Sequence, residues 1–139
     1  MKIIDGKGLV LGRLASKVAK EALKGEEISV VNSELAVITG QKRDVLAQYA
    51  LLRSVGSKYK GPFFPRQPNM IVRRTIRGML PRKKTTGRDA FSRVKVYIGT
   101  PKALEGKPVS RYEDAKLSLK LPKDYMTVED LARQLGWNK

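Results

Sequence analysis

The sequence predicts an α/β fold with a mainly parallel sheet, formed by residues 1–139 as a single domain. Three observations lead to this prediction. Near the N-terminus, strand, helix and strand patterns follow one another within about thirty residues, which is the βαβ arrangement of parallel strands. Further helix and strand patterns continue along the chain to Gly99. The 139 residues are enough for one hydrophobic core, and 41% of them are hydrophobic.

The first βαβ unit has the clearest pattern. Lys2–Asp5 predicts a short strand, which Gly6 and Gly8 end. A helix follows, because apolar residues recur at helical spacing until Gly25, a glycine in the position that commonly ends a helix. Glu27–Val31 is rich in β-branched residues and predicts a second strand, buried on both faces. The apolar stripe of the helix is Leu11, Leu14, Ala15, Val18, Ala19 and Ala22.

Two more helices are predicted in the middle of the chain. The short apolar run Leu35–Ile38 comes first, and its type stays open. Lys42–Val55 then predicts a helix, and Asn69–Leu80 predicts another that Pro81 ends. The residues expected to be buried are Val45, Leu46, Tyr49 and Leu52 in the former and Val72, Ile76 and Met79 in the latter.

The remaining elements are shorter. Arg82–Arg88 predicts a basic loop, with a helical turn at Asp89–Ser92 and a strand at Val94–Ile98. Residues 100–139 are predicted to form a C-terminal extension. In it, Leu117, Leu119 and Leu121 alternate with polar residues, which allows either a β arm or an extended segment. A final helix is expected after Thr127 as its capping residue, with Gly136 at its end and Trp137 packed on the protein or on a neighbour.

The charge of the chain is concentrated in residues 58–95. Twelve basic residues and one acidic residue, Asp89, give this segment a net charge of +11, whereas the whole chain has +16. A compact fold gains nothing from such a density of like charges unless a partner neutralises it. The phosphates of a nucleic acid are the expected partner, although a solvated basic face is the alternative.

The loop Gly56–Pro68 carries aromatic residues among basic ones. Rings can stack on unpaired RNA bases while nearby cations hold phosphates, so this mixture favours RNA. Alternatively, Phe63 and Phe64 anchor the loop to the protein's own core. The sequence leaves both possibilities open.

The candidate RNA-binding residues lie mainly on the predicted third helix and in the basic loops. Arg73, Arg74 and Arg77 share one broad outer face of that helix, and guanidinium groups suit phosphate oxygens. The loop residues are expected to reach between RNA segments, and two residues of the first helix to add a second face. The full set is Arg73, Arg74, Arg77, Arg82, Lys83, Lys84, Arg88, Lys58, Lys60, Arg66, Arg13 and Lys17.

The sequence favours no catalytic, metal or cofactor site. It contains no Cys and no His, which removes the thiolate, the imidazole base and the commonest metal ligands. The glycine-rich stretch Gly6–Arg13 lies between a strand and a helix, but Leu11 and Leu14 replace residues that a dinucleotide fingerprint and a P-loop require. No apolar run is long enough for a membrane helix, and no signal peptide is predicted.

Four stretches in the same order resemble the universal large-subunit ribosomal protein family that carries the number thirteen. They are Leu11–Ser16, Val31–Gly40, Arg77–Pro81 and Gly87–Gly99. The resemblance implies a three-layer α/β/α domain with basic loop extensions, and a structural role on large-subunit rRNA beside neighbouring ribosomal proteins, without catalysis.

The resemblance also points to one branch of that family. Bacterial members usually carry a longer, aromatic-rich insert before the second strand and a His-Pro pair after the last strand. Here Gly25–Glu27 leads directly into the second strand, and Pro101 is followed by Lys102. These differences imply the archaeal or eukaryotic type.

The expected function is therefore that of an rRNA-binding structural protein of the large ribosomal subunit, located on ribosomes in the cytoplasm. We expect no small-molecule substrate and no membrane partner. An RNA-acting enzyme or modification factor with a basic docking surface is the alternative, and a nucleotide pocket would favour it. A DNA-binding chromatin protein is a third possibility, although no helix-turn-helix or zinc spacing supports it.

Overall fold

The computed structural model describes residues 1–117 and 124–138, and its elements confirm the α/β class. The strands of these residues are β1 (Lys2–Asp5), β2 (Ile28–Val31), β3 (Val37–Thr39), β4 (Val94–Val96), β5 (Val109–Ser110) and β6 (Tyr125–Thr127). The helices are α1 (Leu11–Leu23), α2 (Lys42–Ser54), α3 (Pro68–Gly78), α4 (Thr85–Ser92) and α5 (Val128–Gln134). None of these helices is both long and apolar enough to cross a membrane.

The main sheet is small and parallel. Its strand order is β4–β2–β1–β5, and all three neighbouring pairs run in the same direction. Ile4 of β1 lies opposite Val30 of β2, which in turn lies opposite Val96 of β4. A separate antiparallel pair joins β3 to β6.

The predicted βαβ unit is confirmed nearly residue by residue. All six residues of the predicted stripe of α1 are buried, and so are all four residues of β2. Gly25 follows the helix with a φ of 100°, a conformation that side-chain-bearing residues rarely adopt. Strand β2 begins at Ile28, one residue later than predicted.

The two faces of the sheet are covered differently. Ile4 and Val30 point into the large core, to which α1, α3, α4 and α5 also contribute buried side chains. Ile3 and Val31 alternate with them and meet Leu104 on the opposite face. That second face is covered by the 3-10 turn Lys102–Leu104. The sheet therefore has helices on one face and this short turn on the other.

Helix α3 begins one residue earlier and ends two residues earlier than predicted. Pro68 occupies its first turn, where the missing amide hydrogen costs nothing. The prediction of Val72 and Ile76 as buried is confirmed, and Ile71 joins them. The prediction for Met79 was wrong: its side chain is 44% exposed. The chain has left the helix after Gly78, so Leu80 takes the buried position instead.

The segment after Pro81 is more ordered than the predicted basic loop. Thr85–Ser92 forms a two-turn helix, so the loop prediction for Thr85–Arg88 was wrong. Thr and Gly have low helix propensity, but Gly87 and Ala90 are buried where α4 packs near α1. Tertiary packing therefore stabilises a helix that local preference does not predict.

The prediction for α2 was right about its position and wrong about part of its burial. The helix ends at Ser54, one residue before the predicted end. Val45 is buried, and Leu46 and Tyr49 are half-buried against the core. Leu52, predicted to be buried, is 44% exposed because this face of α2 has no covering element among the described residues.

The C-terminal segment folds back onto the core. The open Leu35–Ile38 run becomes a 3-10 turn followed by β3, which pairs with β6. Thr127 caps α5 as predicted, since its hydroxyl accepts a hydrogen bond from the Asp130 amide at 3.2 Å. Trp137 packs against the core rather than standing free.

Strands of the second half differ from the prediction in detail. Strand β4 ends at Val96, although the Tyr97 amide still donates to the Val30 carbonyl at 2.9 Å. The two-residue edge strand β5 was not predicted. The alternation that suggested a β arm falls mostly on Leu119 and Leu121, which lie outside the described residues.

Candidate nucleic-acid interface

The basic segment 58–95 runs from the loop after α2 through α3 and α4 to β4. Within the described residues, none of its twelve basic side chains forms a salt bridge with a carboxylate. The ion pairs of the described residues lie in the other parts of the chain, for example between Lys2 and Glu21 at 2.7 Å. The positive charge of the segment is thus not neutralised by those residues.

Two arginines of α3 are held in place by aromatic rings. The guanidinium carbon of Arg73 lies 4.6 Å from the centre of the Phe91 ring, and that of Arg74 lies 4.9 Å from the Phe64 ring. Arg74 also donates to the Phe63 carbonyl at 2.9 Å. Such cation–π contacts fix the orientation of a long side chain without neutralising its charge. The arginine face of α3 is therefore preorganised by the protein itself.

Arg77 lies in a positive field set up by neighbouring arginines. Partial burial and the neighbouring charges of Arg82 and Arg74 lower the pKa of Arg77 below its usual value. Burial and repulsion both disfavour the charged form, and removal of a neighbouring charge or arrival of an anion relieves the repulsion. The structure therefore brings together the predicted residues Arg74, Arg77 and Arg82 from α3 and the turn that follows it.

The turn after α3 makes a close backbone contact with α4, between Pro81 and Gly87. Arg82, Lys83 and Lys84 are exposed, and the Lys84 amide donates to the Pro81 carbonyl at 3.0 Å. A Cβ placed on Gly87 would lie 2.2 Å from the Pro81 carbonyl oxygen, so only glycine permits this approach. The predicted residue Arg88 is on α4 rather than in a loop, and its Nε donates to the Arg82 carbonyl at 3.4 Å.

The two adjacent phenylalanines of the preceding loop have different environments. Phe64 is half-buried and meets the Tyr49 ring edge-on, with ring centres 5.6 Å apart. Phe63 is 68% exposed, and Tyr59 is 84% exposed. The alternative of an anchor to the core is therefore correct for Phe64, whereas Phe63 is exposed and its stacking on RNA stays a prediction. The predicted cations of this loop, Lys58, Lys60 and Arg66, are all exposed.

Arg13 and Lys17 lie on α1, away from α3 in the chain. Of these two residues, Lys17 forms an ion pair with another described residue and Arg13 does not. Arg13 is exposed. Lys17 pairs with Asp114 at 2.6 Å and lies 5.4 Å from the centre of the Tyr112 ring. The structure thus gives Lys17 a role in holding the C-terminal segment against α1.

One basic residue of the segment has a clear structural role that the sequence did not predict. Arg93 donates to the Ala22 carbonyl at 3.3 Å, near the C-terminal end of α1. A cation in this position interacts favourably with the helix dipole. Arg53 plays a similar part outside the segment, since it donates to the Leu135 carbonyl at 2.6 Å.

The glycine-rich stretch before α1 is not a phosphate-binding loop. The Gly6 amide donates to the Val31 carbonyl at 2.9 Å, the Lys7 amide to the Asp5 carboxylate at 3.0 Å, and the Gly8 amide to the Leu35 carbonyl at 3.0 Å. Because these amides are occupied by protein acceptors, they are not free to hold a phosphate.

One large hollow of the described surface lies away from the basic segment. Its volume is about 580 Å³, and Glu26 and Glu27 contribute carboxylates to its wall at the start of β1. Its lining also includes Met1 and Lys2, so it carries charges of both signs. A smaller hollow of about 210 Å³ lies within the basic segment, lined by Arg73, Arg74 and Arg77 together with apolar side chains.

Sequence reasoning missed the apolar side chains that complete this smaller hollow. They are Pro65, Met70 and Phe91, which come from the loop, α3 and α4. Phe91 falls in the helical turn predicted at Asp89–Ser92, but its packing against Arg73 depends on the contact between two helices, which no periodic pattern marked. Met70 could have been found, because it lies one turn before Arg74 on the same helix face.

Comparison with known proteins connects this structure to one family. A family model described as "Ribosomal protein L13" matches residues 1–103. The chain is 46% identical over 136 residues to the large ribosomal subunit protein uL13 of Methanococcoides burtonii, with 98% of both chains covered. It is 48% identical to the uL13 protein of Archaeoglobus fulgidus, with 97% of this chain and 87% of the relative covered. It is also 48% identical to the uL13 protein of Methanocaldococcus jannaschii, with 98% of both chains covered. The resemblance seen in the sequence, including its archaeal or eukaryotic type, is confirmed.

Proposed function

Because the chain belongs to the ribosomal protein L13 family, we propose that it is a structural constituent of the large ribosomal subunit that binds and stabilises large-subunit rRNA. The binding surface comprises α3 and the two basic loops on either side of it. The single observation that carries the proposal is the arginine face of α3, fixed by aromatic rings and without carboxylate partners among the described residues.

The residues of this surface have distinct roles. Arg73, Arg74 and Arg77 hold phosphates from a rigid helix, and the aromatic contacts of Arg73 and Arg74 reduce the entropy that these two side chains lose on binding. Arg82, Lys83, Lys84 and Arg88 reach between RNA segments from the turn and the start of α4. Further contacts with RNA come from the outlying cations Lys58, Lys60, Arg66, Arg13 and Lys17. The ion pair between Lys17 and Asp114 limits the contribution of Lys17 to RNA binding.

The whole chain acts as one rRNA-binding domain, with residues 100–139 as an extension of it. The pairing of β3 with β6 and the packing of α5 near α3 support a single unit. Neighbouring large-subunit proteins are further partners, and the exposed side chains of Leu51, Leu52 and Val55 on α2 support such contacts. The site of action is the ribosome in the cytoplasm.

The enzyme alternative has no support. The relatives are named as large ribosomal subunit proteins, and the protein is not an enzyme. The hollow beside α3 is too small for the drug-sized ligands that occupy pockets of about 300–1,000 Å³.

The salt dependence of RNA binding tests this function. If seven basic residues from Arg73 to Arg88 each contact a phosphate, the logarithm of the association constant falls with the logarithm of salt concentration with a slope of roughly −5 to −6. The measurement is a titration of large-subunit rRNA fragments, with an unrelated duplex RNA as control. We expect tighter binding to the rRNA at every salt concentration. A nearly flat slope would show that the basic segment is not the binding surface.

A further inference from the structure

We infer that the hollow beside α3 is a pocket for one unpaired base of the bound RNA. This inference rests on the proposed function and adds to it a second kind of recognition, stacking of a base rather than contact with a phosphate. It is carried by the juxtaposition of an exposed aromatic ring, an apolar floor and an arginine wall in one hollow of about 210 Å³.

The size and lining of the hollow suit a single ring system. Pockets for drug-sized molecules have about 300–1,000 Å³, so this hollow suits a smaller group such as one base. Pro65, Met70 and Phe91 supply apolar surface, and Phe63 supplies a ring that is 68% exposed. A site that binds only phosphate gains nothing from this apolar surface. A site that binds a base does gain, because the faces of a base stack on rings while its edges remain polar.

The backbone that carries the exposed ring is held against α3. The Phe63 carbonyl accepts a hydrogen bond from Arg74 at 2.9 Å, which ties the loop to α3. On the other side, a Cβ on Gly61 would lie 3.1 Å from the Phe63 ring, so the absence of a side chain there makes room for it. Preorganisation of this kind lowers the entropy lost when a base stacks.

The arginine wall supplies the polar part of the site. Arg73 stacks on Phe91, and its Nε is buried without a hydrogen-bond acceptor among the described residues. Arg73 lines the hollow, and its guanidinium carries further N–H donors besides the buried Nε. Bases carry carbonyl and ring-nitrogen acceptors on their edges. Arg77, also in the wall, is placed to meet the phosphate attached to the same nucleotide.

An acidic peptide is the alternative occupant, because arginines and aromatic rings can also bind one. The surrounding charge favours RNA, since residues 58–95 carry twelve basic residues. A peptide needs only a few ion pairs, whereas this density suits a continuous polyanion.

The test separates stacking from charge by measuring affinity for large-subunit rRNA fragments at several salt concentrations. For Phe63→Ala we expect affinity to fall about 5- to 150-fold at every salt concentration, with the slope unchanged, because stacking releases no counterions. For Lys83→Gln we expect the slope to become shallower by about 1. Tyr59→Ala is the matched aromatic control, since Tyr59 is exposed in the same loop but does not line the hollow.

Two further variants show whether the ring itself is what matters. Phe63→Trp retains a stacking surface and is expected to bind within about threefold of the wild type, whereas Phe63→Leu is expected to behave like Phe63→Ala. Circular dichroism melting checks that each variant is folded. The base pocket is overturned if Phe63→Ala binds RNA like the wild type, or if it loses no more affinity than Tyr59→Ala. In either case a steep salt slope for the wild-type protein would leave the proposed rRNA-binding function intact.

Discussion

Replacement of Arg77 and Arg82 together by glutamine is expected to weaken binding to large-subunit rRNA by about 2–5 kcal/mol. Both guanidinium groups belong to the crowded positive field in which the pKa of Arg77 is lowered by burial and by its neighbours. Neither side chain forms a hydrogen bond or ion pair within the described part of the chain. The free energy of unfolding is therefore expected to stay within about 0.5 kcal/mol or to rise slightly, since repulsion is relieved.

The matched control removes the same charge elsewhere. Lys102 and Lys107 are exposed and lie in the segment around the turn that covers the other face of the sheet. Their replacement by glutamine is expected to change rRNA affinity far less than the Arg77 and Arg82 pair. Equal losses in the two double variants would mean that net charge, and not the arginine face, determines binding. Urea unfolding of all three proteins measures the stability.

Gly87→Ala is expected to lower the free energy of unfolding by about 1–3 kcal/mol, despite the higher helix propensity of alanine. A Cβ at this position would lie 2.2 Å from the Pro81 carbonyl oxygen, and a backbone atom cannot rotate away as a flexible side chain can. Either α4 or the turn must move. Because that turn carries Arg82, Lys83 and Lys84, rRNA affinity should fall as well.

Gly78→Ala provides the comparison for this substitution. Gly78 is also helical, but a Cβ there would meet no atom within 4 Å. Alanine at this position is therefore expected to leave stability unchanged or to raise it by up to about 1 kcal/mol. Urea unfolding monitored by circular dichroism compares the two variants. If they had the same stability, the close contact between Gly87 and Pro81 would not be a constraint on the fold.

The sequence predicts best those elements whose pattern is local. Helix α1 has a continuous apolar stripe, strand β2 is a run of β-branched residues, and Thr127 has the side chain of a helix cap. Each of these signals lies within the element itself. The helices and parallel strands of the first βαβ unit could therefore be placed within about one residue.

Elements that depend on distant partners were not predictable. Thr85, Thr86 and Gly87 have little helix propensity, and α4 exists because its buried side is covered by other parts of the fold. Strand β3 is paired with β6, which lies about ninety residues later in the chain, and no local pattern reveals such a pairing.

The candidate site also combines features that the local sequence predicts with features that depend on distant residues. Its charge was evident, because twelve basic residues lie within one segment. Its geometry was not, because the adjacent residues Phe63 and Phe64 have the same side chain and opposite environments. Contacts with Tyr49 and Arg74, from two other elements, cover the Phe64 ring. The hollow between the loop, α3 and α4 likewise depends on three elements meeting in space.

The most direct test of the central proposal is ultraviolet cross-linking of intact large ribosomal subunits, followed by mass spectrometry of this protein's peptides. The account predicts that the peptides cross-linked to large-subunit rRNA come mainly from residues 58–95, with Phe63 among the cross-linked positions. It also predicts few cross-links from residues 100–117. Cross-links confined to residues 1–57 and 100–139, with none in residues 58–95, would contradict the assignment of the basic segment as the rRNA-binding surface.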